Sequence, residues 1–184
     1  MNKRRGSLLM EYRRLELEEA ERIAEIDATY FIKNAWRVDE KTGEYYLVEI
    51  NWTDKELPNG FEWHLRRIKE TIKNGGVAFG CFEDGTLIGY GTVNKEAIGK
   101  QGQYVLLDQL FVSQNKRGKG IGKTLFFQCA KQAKEYGAEK LFLCAGSSEN
   151  TIAFYKALGC VPAADRDQAL YEEDPRDIQL EFCL

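Results

Sequence analysis

The stretch Arg117-Gly118-Lys119-Gly120-Ile121-Gly122 sets a glycine at every second position beside the cations Lys116, Arg117 and Lys119, between an apolar run and a long amphipathic one. A helix starting here leaves its first N–H groups without intrahelical partners and carries a partial positive charge at that end. Phosphate is the natural ligand of such an end, and glycines let it approach the main chain closely. The same glycines also suit a tight strand-to-helix turn that holds nothing, so the loop taken alone leaves both readings open. Two familiar phosphate loops do not fit. Gly122-Lys123-Thr124 could close a G-x-x-x-x-G-K-T loop, but the upstream glycine falls at position 117, which is arginine. A dinucleotide G-x-G-x-x-G beginning at Gly118 meets Lys123 where its third glycine should stand.

The elements around the loop are legible from their periodicity. "YVLLDQLFV" reads as the strand entering it, and Ile121, Leu125, Cys129 and Ala133 recur every four residues, predicting a helix from about Gly120 to Tyr136 that ends at Gly137. "KLFLCA" is a buried strand; Asn150 is read as the N-cap of a short helix, "TIAFYKAL", closed by Gly159; "DIQLEFCL" alternates as a last strand. Upstream, "EYRRLEL" predicts a strand, and "EEAERIAEIDATYF" a helix carrying Ala20, Ile23, Ile26 and Ala28 inward. A turn at Gly43 joins the Trp36 segment to a strand on which Tyr46, Val48, Ile50 and Trp52 share a face. "FEWHLRRIKETIKNGG" predicts a helix burying Phe61, Leu65, Ile68 and Ile72, and Asp84-Gly85 a tight hairpin within "VAFGCFEDGTLIGYGTV". Together these give one mixed α/β domain over residues 10–184, with residues 1–9 as a disordered lead-in.

Composition narrows the function. The chain has 184 residues, 43% of them hydrophobic, enough for a real core, and a formal net charge of −3. No overall basic field exists to hold nucleic acid or an anionic membrane, so any anion site must be local. The apolar runs are strand-sized, well short of the ~20 residues of a bilayer crossing. Cys81, Cys129, Cys144, Cys160 and Cys183 stand singly in apolar runs, with His64 as the one histidine. That pattern argues for reduced core thiols in a cytoplasmic protein, and against zinc or a disulfide framework.

The segment "LLDQLFVSQNKRGKGIGKTLFFQCAKQAKEYG", followed by "ENTIAFYKALGC", resembles the GNAT superfamily of N-acetyltransferases, in which an R/Q-x-x-G-x-G/A loop holds the pyrophosphate of acetyl-CoA. The resemblance covers about Val77 to Val161, and the opening strand and helix more loosely. It implies a central, mostly antiparallel twisted sheet flanked by helices, with a splayed strand pair at the cofactor site. It also implies acetyl-CoA as cosubstrate, with Arg117, Gly118, Lys119, Gly120, Ile121 and Gly122 on the pyrophosphate and Leu110, Phe111 and Val112 along the pantetheine arm. By the same resemblance the Leu110 N–H stabilises the oxyanion, and Tyr155 faces the thioester sulfur as its proton donor. Tyr155 has the alternative of a core aromatic beside Phe154. Asn150 matches the cofactor-contacting asparagine, five residues before the tyrosine where seven is commoner, which puts Ser148 in the usual slot; capping is its alternative role. Cys160 replaces an aromatic after the closing glycine.

An alkylamine with a pKa of about 10 is mostly protonated at neutral pH, so acyl transfer to it is helped by a base. Asp108, charged inside an apolar strand and expected on the opposite face of the pleat from Gln109, is the candidate; a carboxylate in a structural network is the alternative. The resemblance places acceptor recognition between Tyr30 and Trp63, a segment with Tyr30, Phe31, Trp36, Tyr45, Tyr46, Trp52, Phe61 and Trp63 among Asp39, Glu40, Glu44, Glu49 and Asp54. Aromatics with carboxylates suit a cationic amine, although core packing and a solvated face are the commoner fates of such residues. The ending "ADRDQALYEEDPRDIQLEF" resembles the D-x-x-LY…I-x-L tail of streptothricin-type acetyltransferases, which favours a small-molecule amine over a protein tail. Dimers are common in the superfamily, so the resemblance allows a homodimer. The competing functions are a non-catalytic acyl-CoA-binding module and a protein N-terminal or lysine acetyltransferase.

Overall fold

The computed structural model describes residues 10–39 and 41–184, so the expected lead-in over residues 1–9, and Glu40, lie outside the described residues. In chain order the elements are β1 (Met10–Arg14), a 3-10 helix (Leu17–Glu25), β2 (Tyr30–Val38), β3 (Tyr45–Asp54), α1 (Phe61–Lys73), β4 (Val77–Glu83), β5 (Thr86–Ile98) and β6 (Tyr104–Val112). There follow α2 (Ile121–Glu135), β7 (Lys140–Ala145), α3 (Glu149–Leu158), β8 (Val161–Pro162), α4 (Gln168–Glu173) and β9 (Ile178–Cys183). Seven strands form one sheet in the order β1-β4-β5-β6-β7-β9-β8, and β2 and β3 make a separate two-stranded sheet. Every neighbouring pair of the large sheet is antiparallel except β6 and β7.

The sheet is covered on both faces. On one, Leu65 and Ile68 of α1 pack with Ala20 and Ile23 of the 3-10 helix over Ala78, Phe82, Leu87 and Tyr90. On the other, Phe126, Cys129 and Ala133 of α2 and Ile152 and Tyr155 of α3 pack over Val93, Val105, Leu107, Leu141 and Leu143. Each fully buried aliphatic or aromatic contributes about 1.5–3 kcal/mol, so this two-sided apolar layer fixes the central strands. The β4–β5 hairpin turns at Asp84 and Gly85, with φ of 49° and 81°. Two successive residues at positive φ are what a two-residue hairpin turn requires.

Several expectations need correction. The first helix is 3-10 rather than α: its buried residues Ala20, Ile23 and Ile26 recur every three residues, the period of that helix, and Tyr30 and Phe31 begin β2 instead of ending it. The β2–β3 hairpin forms, but β3 carries a bulge, Ile50 and Asn51 standing opposite the single residue between Ile32 and Asn34 with Asn51 at φ 50°, and this moves Trp52 onto the face that carries Leu47 and Tyr45. Ser148, not Asn150, is the N-cap of α3, its side-chain oxygen accepting from the Thr151 N–H at 3.2 Å. The cysteines are free, yet only Cys81, Cys129 and Cys160 are buried, while Cys183 is exposed.

Candidate active site

The sheet opens between β6 and β7. Their parallel ladder covers only Tyr104–Leu106 against Lys140–Phe142. Beyond it, Leu107–Val112 has no partner on that side among the described residues, while β7 continues along β9 to Ala145. The cause is visible on the opposite edge. Thr92 pairs with Gln109 and Val93 with Leu107, so Asp108 is an extra residue in β6. A bulge of this kind bends its strand and raises the local twist, which carries the second half of β6 away from β7.

Past the bulge one hydrogen bond sets the amide directions. The Ser113 N–H donates to the Ile88 carbonyl at 2.9 Å. Antiparallel alternation then has Phe111 exchanging hydrogen bonds with Tyr90, and Leu110 and Val112 turning their N–H and C=O groups toward the gap. The Val112 carbonyl indeed accepts from Arg117 Nε at 2.9 Å instead of from β5.

At the end of the gap lies the glycine loop. Gly118 and Gly120 have φ of 75° and 81°, and a Cβ at either would meet nothing within 4 Å. Among the described residues no hydrogen bond occupies the main-chain amides of Gly118, Lys119, Gly120, Ile121, Gly122 or Lys123; the first helical bond is Thr124 N–H to the Gly120 carbonyl at 3.0 Å. This row of free donors at a helix N-terminus, with open space before it, fits a pyrophosphate. Gly89 seats the helix: a Cβ there would stand 3.1 Å from both Ile121 Cγ2 and the Phe111 carbonyl.

The loop cations behave differently from expectation. The Arg117 side chain turns inward, Nη1 donating to the Thr29 carbonyl at 3.1 Å with its guanidinium 5.0 Å from the centre of the Tyr30 ring, and burial lowers its pKa. It anchors the loop rather than presenting charge to a ligand. Lys116 is paired with Glu83. Lys119 and Lys123 remain exposed beside the free amides. Ile121 is buried, so only its amide is available.

Tyr155 lies on α3 within the apolar cluster that Leu110 borders, its ring 6.2 Å from Phe126 and 5.1 Å from Phe154. Burial, and then nearby cysteine thiols, push its phenol well above the usual range, so it stays protonated. Among the described residues its hydroxyl has no hydrogen-bond partner. Phe154 approaches the Cβ position of Gly122 to 3.3 Å, so the tyrosine helix and the glycine loop are in contact. Asn150 is exposed in the first turn of α3.

The hairpin closes the other side. Trp36 N–H donates to the Ser147 carbonyl at 2.8 Å, Ala35 bridges to Ser148, and the Tyr30 hydroxyl lies 2.7 Å from Ser148 Oγ. Strand β2 thereby docks at the open end of β7. Strand β3 faces outward, exposing Tyr45, Tyr46, Leu47, Val48 and Trp52.

Asp108 and Gln109 do not point to opposite faces, because the bulge breaks the alternation and turns both toward α1. Arg67 grips Asp108 with Nε at 3.0 and 3.1 Å from its two oxygens and with Nη2 on Oδ1. The Asp108 side chain is only 4% exposed although its backbone is open. Arg67 also reaches Glu173 at 3.0 Å and lies 4.6 Å from the centre of the Trp63 ring. Burial opposes its charge, and the two carboxylates outweigh that and raise its pKa. Next to it, buried His64 has Nε2 2.6 Å from the Pro58 carbonyl and Nδ1 2.8 Å from Gln109 Oε1; burial lowers its pKa.

The structure thus gathers Leu110, Val112, the loop amides and Tyr155 around the gap, and it engages Asp108 with Arg67. Sequence reasoning missed Arg67. For Arg67 the signal was a basic residue one turn after Trp63 on an otherwise amphipathic helix, whose partner in β6 became readable only with the bulge.

The family model described as the acetyltransferase (GNAT) family matches residues 36–160. No match is found among curated protein sequences. Among solved structures the chain is similar to nourseothricin acetyltransferase, with 21% identity and a TM-score of 0.71 over 95% of this chain and 98% of that one. It is similar to a Bacillus anthracis str. Ames protein, provisionally assigned as a streptothricin acetyltransferase and in complex with acetyl coenzyme A, with 18% identity and a TM-score of 0.72 over 96% of this chain and 99% of that one. It is also similar to the PaiA N-acetyltransferase of Thermoplasma acidophilum in complex with coenzyme A, with 20% identity and a TM-score of 0.61 over 96% of this chain and 100% of that one.

Proposed function

The chain belongs to the GNAT acetyltransferase family, and from that premise we propose that it moves the acetyl group of acetyl-CoA to the primary amine of a small molecule, directly, in a ternary complex. The observation that carries this is the row of unoccupied amides from Gly118 to Lys123 at the end of the β6–β7 gap. Acetyl-CoA supplies an activated acyl carbon. The residues around it supply the rest: the loop amides hold the pyrophosphate, the Leu110 N–H stabilises negative charge on the acyl oxygen, and the Tyr155 hydroxyl protonates the departing sulfur. Arg117 fixes the loop, Phe111 and Val112 line the gap, and Asn150 stands at its rim. Asp108, held by Arg67, is a positioning residue that keeps the bulge in place rather than the base.

A small cationic amine is favoured by the carboxylates Asp108, Asp167, Glu173 and Asp177, which all act on the Cys144 thiol of β7 and raise its pKa after burial does. The two antibiotic acetyltransferases of similar fold support the same class. No helix among the described residues is long and apolar enough to cross a membrane, and free cysteines accord with a reducing, cytoplasmic setting. The test is thiol release from acetyl-CoA against streptothricin, aminoglycosides, polyamines, amino acids and peptide amines. Binding of acetyl-CoA without release across that panel would leave a non-catalytic acyl-CoA module, and release with peptide amines alone would leave a protein acetyltransferase.

Gly120→Val is expected to weaken acetyl-CoA binding about tenfold or more. The substitution adds about 1–2 kcal/mol of left-handed strain and fills the space before the amides. Isothermal titration checks it, and unchanged affinity would place the pyrophosphate elsewhere. A homodimer is the assembly that the outer edge of β3 favours: the strand is unpaired on that side among the described residues, and Glu49 is the one charge in "YYLVEINW". Val48→Lys is expected to shift the sedimentation coefficient to that of a monomer; a monomeric parent protein would end this assignment.

A further inference from the structure

Strand β9 begins at Ile178, which pairs with Ala145, the last residue of β7. Asp177 therefore stands across from Gly146, just past the end of that ladder, where β6 has already left β7. The turn Asp174-Pro175-Arg176-Asp177 holds it there, the Asp177 N–H donating to the Asp174 carbonyl at 3.1 Å. Asp177 is half-buried, and among the described residues its carboxylate has neither a hydrogen bond nor an ion pair.

The other carboxylates near the gap are engaged. Arg67 holds Asp108 and Glu173, Asp167 caps α4 by accepting from the Leu170 N–H at 3.0 Å, and Glu181 is bound by Lys140 and Tyr104. Two groups report the direction of the Asp177 charge. After burial and the neighbouring cysteines, Asp177 raises the pKa of the Tyr155 hydroxyl, and after burial it is the first of the charges that raise the Cys144 thiol. The one free carboxylate of this cluster among the described residues thus stands at the end of the gap, close enough to Cys144 of β7 and Tyr155 of α3 for its charge to act on both.

We propose that Asp177 receives the acceptor amine at the mouth of the gap and takes the proton from its ammonium nitrogen. This rests on the acetyltransferase reading above. One N–H bond of the ammonium breaks and one O–H bond forms on Asp177. The electron pair stays on nitrogen, which becomes the neutral nucleophile, and the carboxyl later returns its proton to water.

The surroundings suit that work. Burial, and then the like charge of Asp174, raise the Asp177 pKa to about 6, against a small opposing effect of Arg176. A base poised near the working pH is the effective one. The titratable and charged groups coupled to it are Cys144 from β7, Tyr155 from α3, and Asp174 and Arg176 from its own turn, and Arg176 is itself paired with Asp174 at 3.3 Å. The linkage has a definite sign. With a folded pKa above the ordinary 3.8, the protonated carboxyl is the form the fold prefers. Its contribution to stability is full below about pH 4 and is lost as pH rises through about 6. Ionised Asp177 therefore weakens the fold at neutral pH, as expected of a group retained for function.

The test compares wild type with Asp177→Asn by thiol release, using spermidine, L-lysine and streptothricin as acceptors, and by melting temperature, each across pH. The variant is expected to lose about 100-fold in kcat/KM for the amine at pH 7. Its acid limb near pH 6 should vanish, and the deficit should shrink toward about pH 10, where the amine sheds its proton unaided. Its melting temperature should match wild type below about pH 4 and exceed it above about pH 6. Asp174→Asn, which leaves the carboxylate and removes the like charge beside it, should move the acid limb to lower pH. Thiol release by Asp177→Asn at the wild-type rate, with the acid limb in place, overturns the assignment while leaving acetyl transfer standing. Wild type that releases no thiol with any amine overturns acetyl transfer, and the Asp177 role falls with it.

Discussion

Tyr155→Phe is expected to lower kcat about 100-fold or more while leaving acetyl-CoA affinity unchanged. The substitution removes one oxygen and keeps the ring against Phe126 and Phe154, so the packing of α3 on α2 persists. Because the hydroxyl has no hydrogen-bond partner among the described residues, its loss strands nothing, and the melting temperature should stay level or rise. Burial raises the phenol pKa far enough to keep it a proton donor across the working range. The variant should therefore lose rate without gaining or losing a limb in its pH profile, which separates Tyr155 from any group titrating near neutrality. Steady-state kinetics with a calorimetric binding measurement checks all of this. Unchanged kcat would return Tyr155 to the role of a core aromatic.

That experiment bears on a residue the sequence marked only through its motif. The strands β6 and β7, the α2 helix and the Asp84-Gly85 hairpin were legible because apolar periodicity and turn chemistry act locally. Three features were not, and each depends on a non-local pairing. The bulge at Asp108 is a mismatch between β5 and β6, invisible in either strand alone, and it reversed the expected orientation of Asp108 relative to Gln109. Ser148 displaced Asn150 as cap because its hydroxyl is also held by Tyr30, from a strand far away in sequence. The inward turn of Arg117 follows from the bare carbonyls of Val112 and Thr29 at the end of the gap, so a residue counted as ligand-binding charge is a bracket for the loop. In each case the residue type was noticed, and its partner decided its role.

The Arg67–Asp108 pair gives the second large effect. Removing Arg67 as Arg67→Met leaves a carboxylate whose side chain is 4% exposed with no cation beside it, and breaking a buried pair this way typically destabilises by about 3–5 kcal/mol. Asp108→Asn should be milder, since Arg67 is 15% exposed and keeps Glu173 at 3.0 Å and the Trp63 ring. The asymmetry is a signature of a carboxylate that depends on its cation more than the reverse. The double variant Arg67→Met with Asp108→Leu removes both charges and should recover most of the stability lost by Arg67→Met alone, read as urea midpoints in a double-mutant cycle. Recovery of the fold need not restore the rate. If the pair sets the bulge, and the bulge opens β6 from β7, the double variant should be stable yet bind acetyl-CoA weakly, because the Leu110 and Val112 amides no longer face a gap of the right width. A double variant with both stability and wild-type affinity would show that the bulge holds itself open without them.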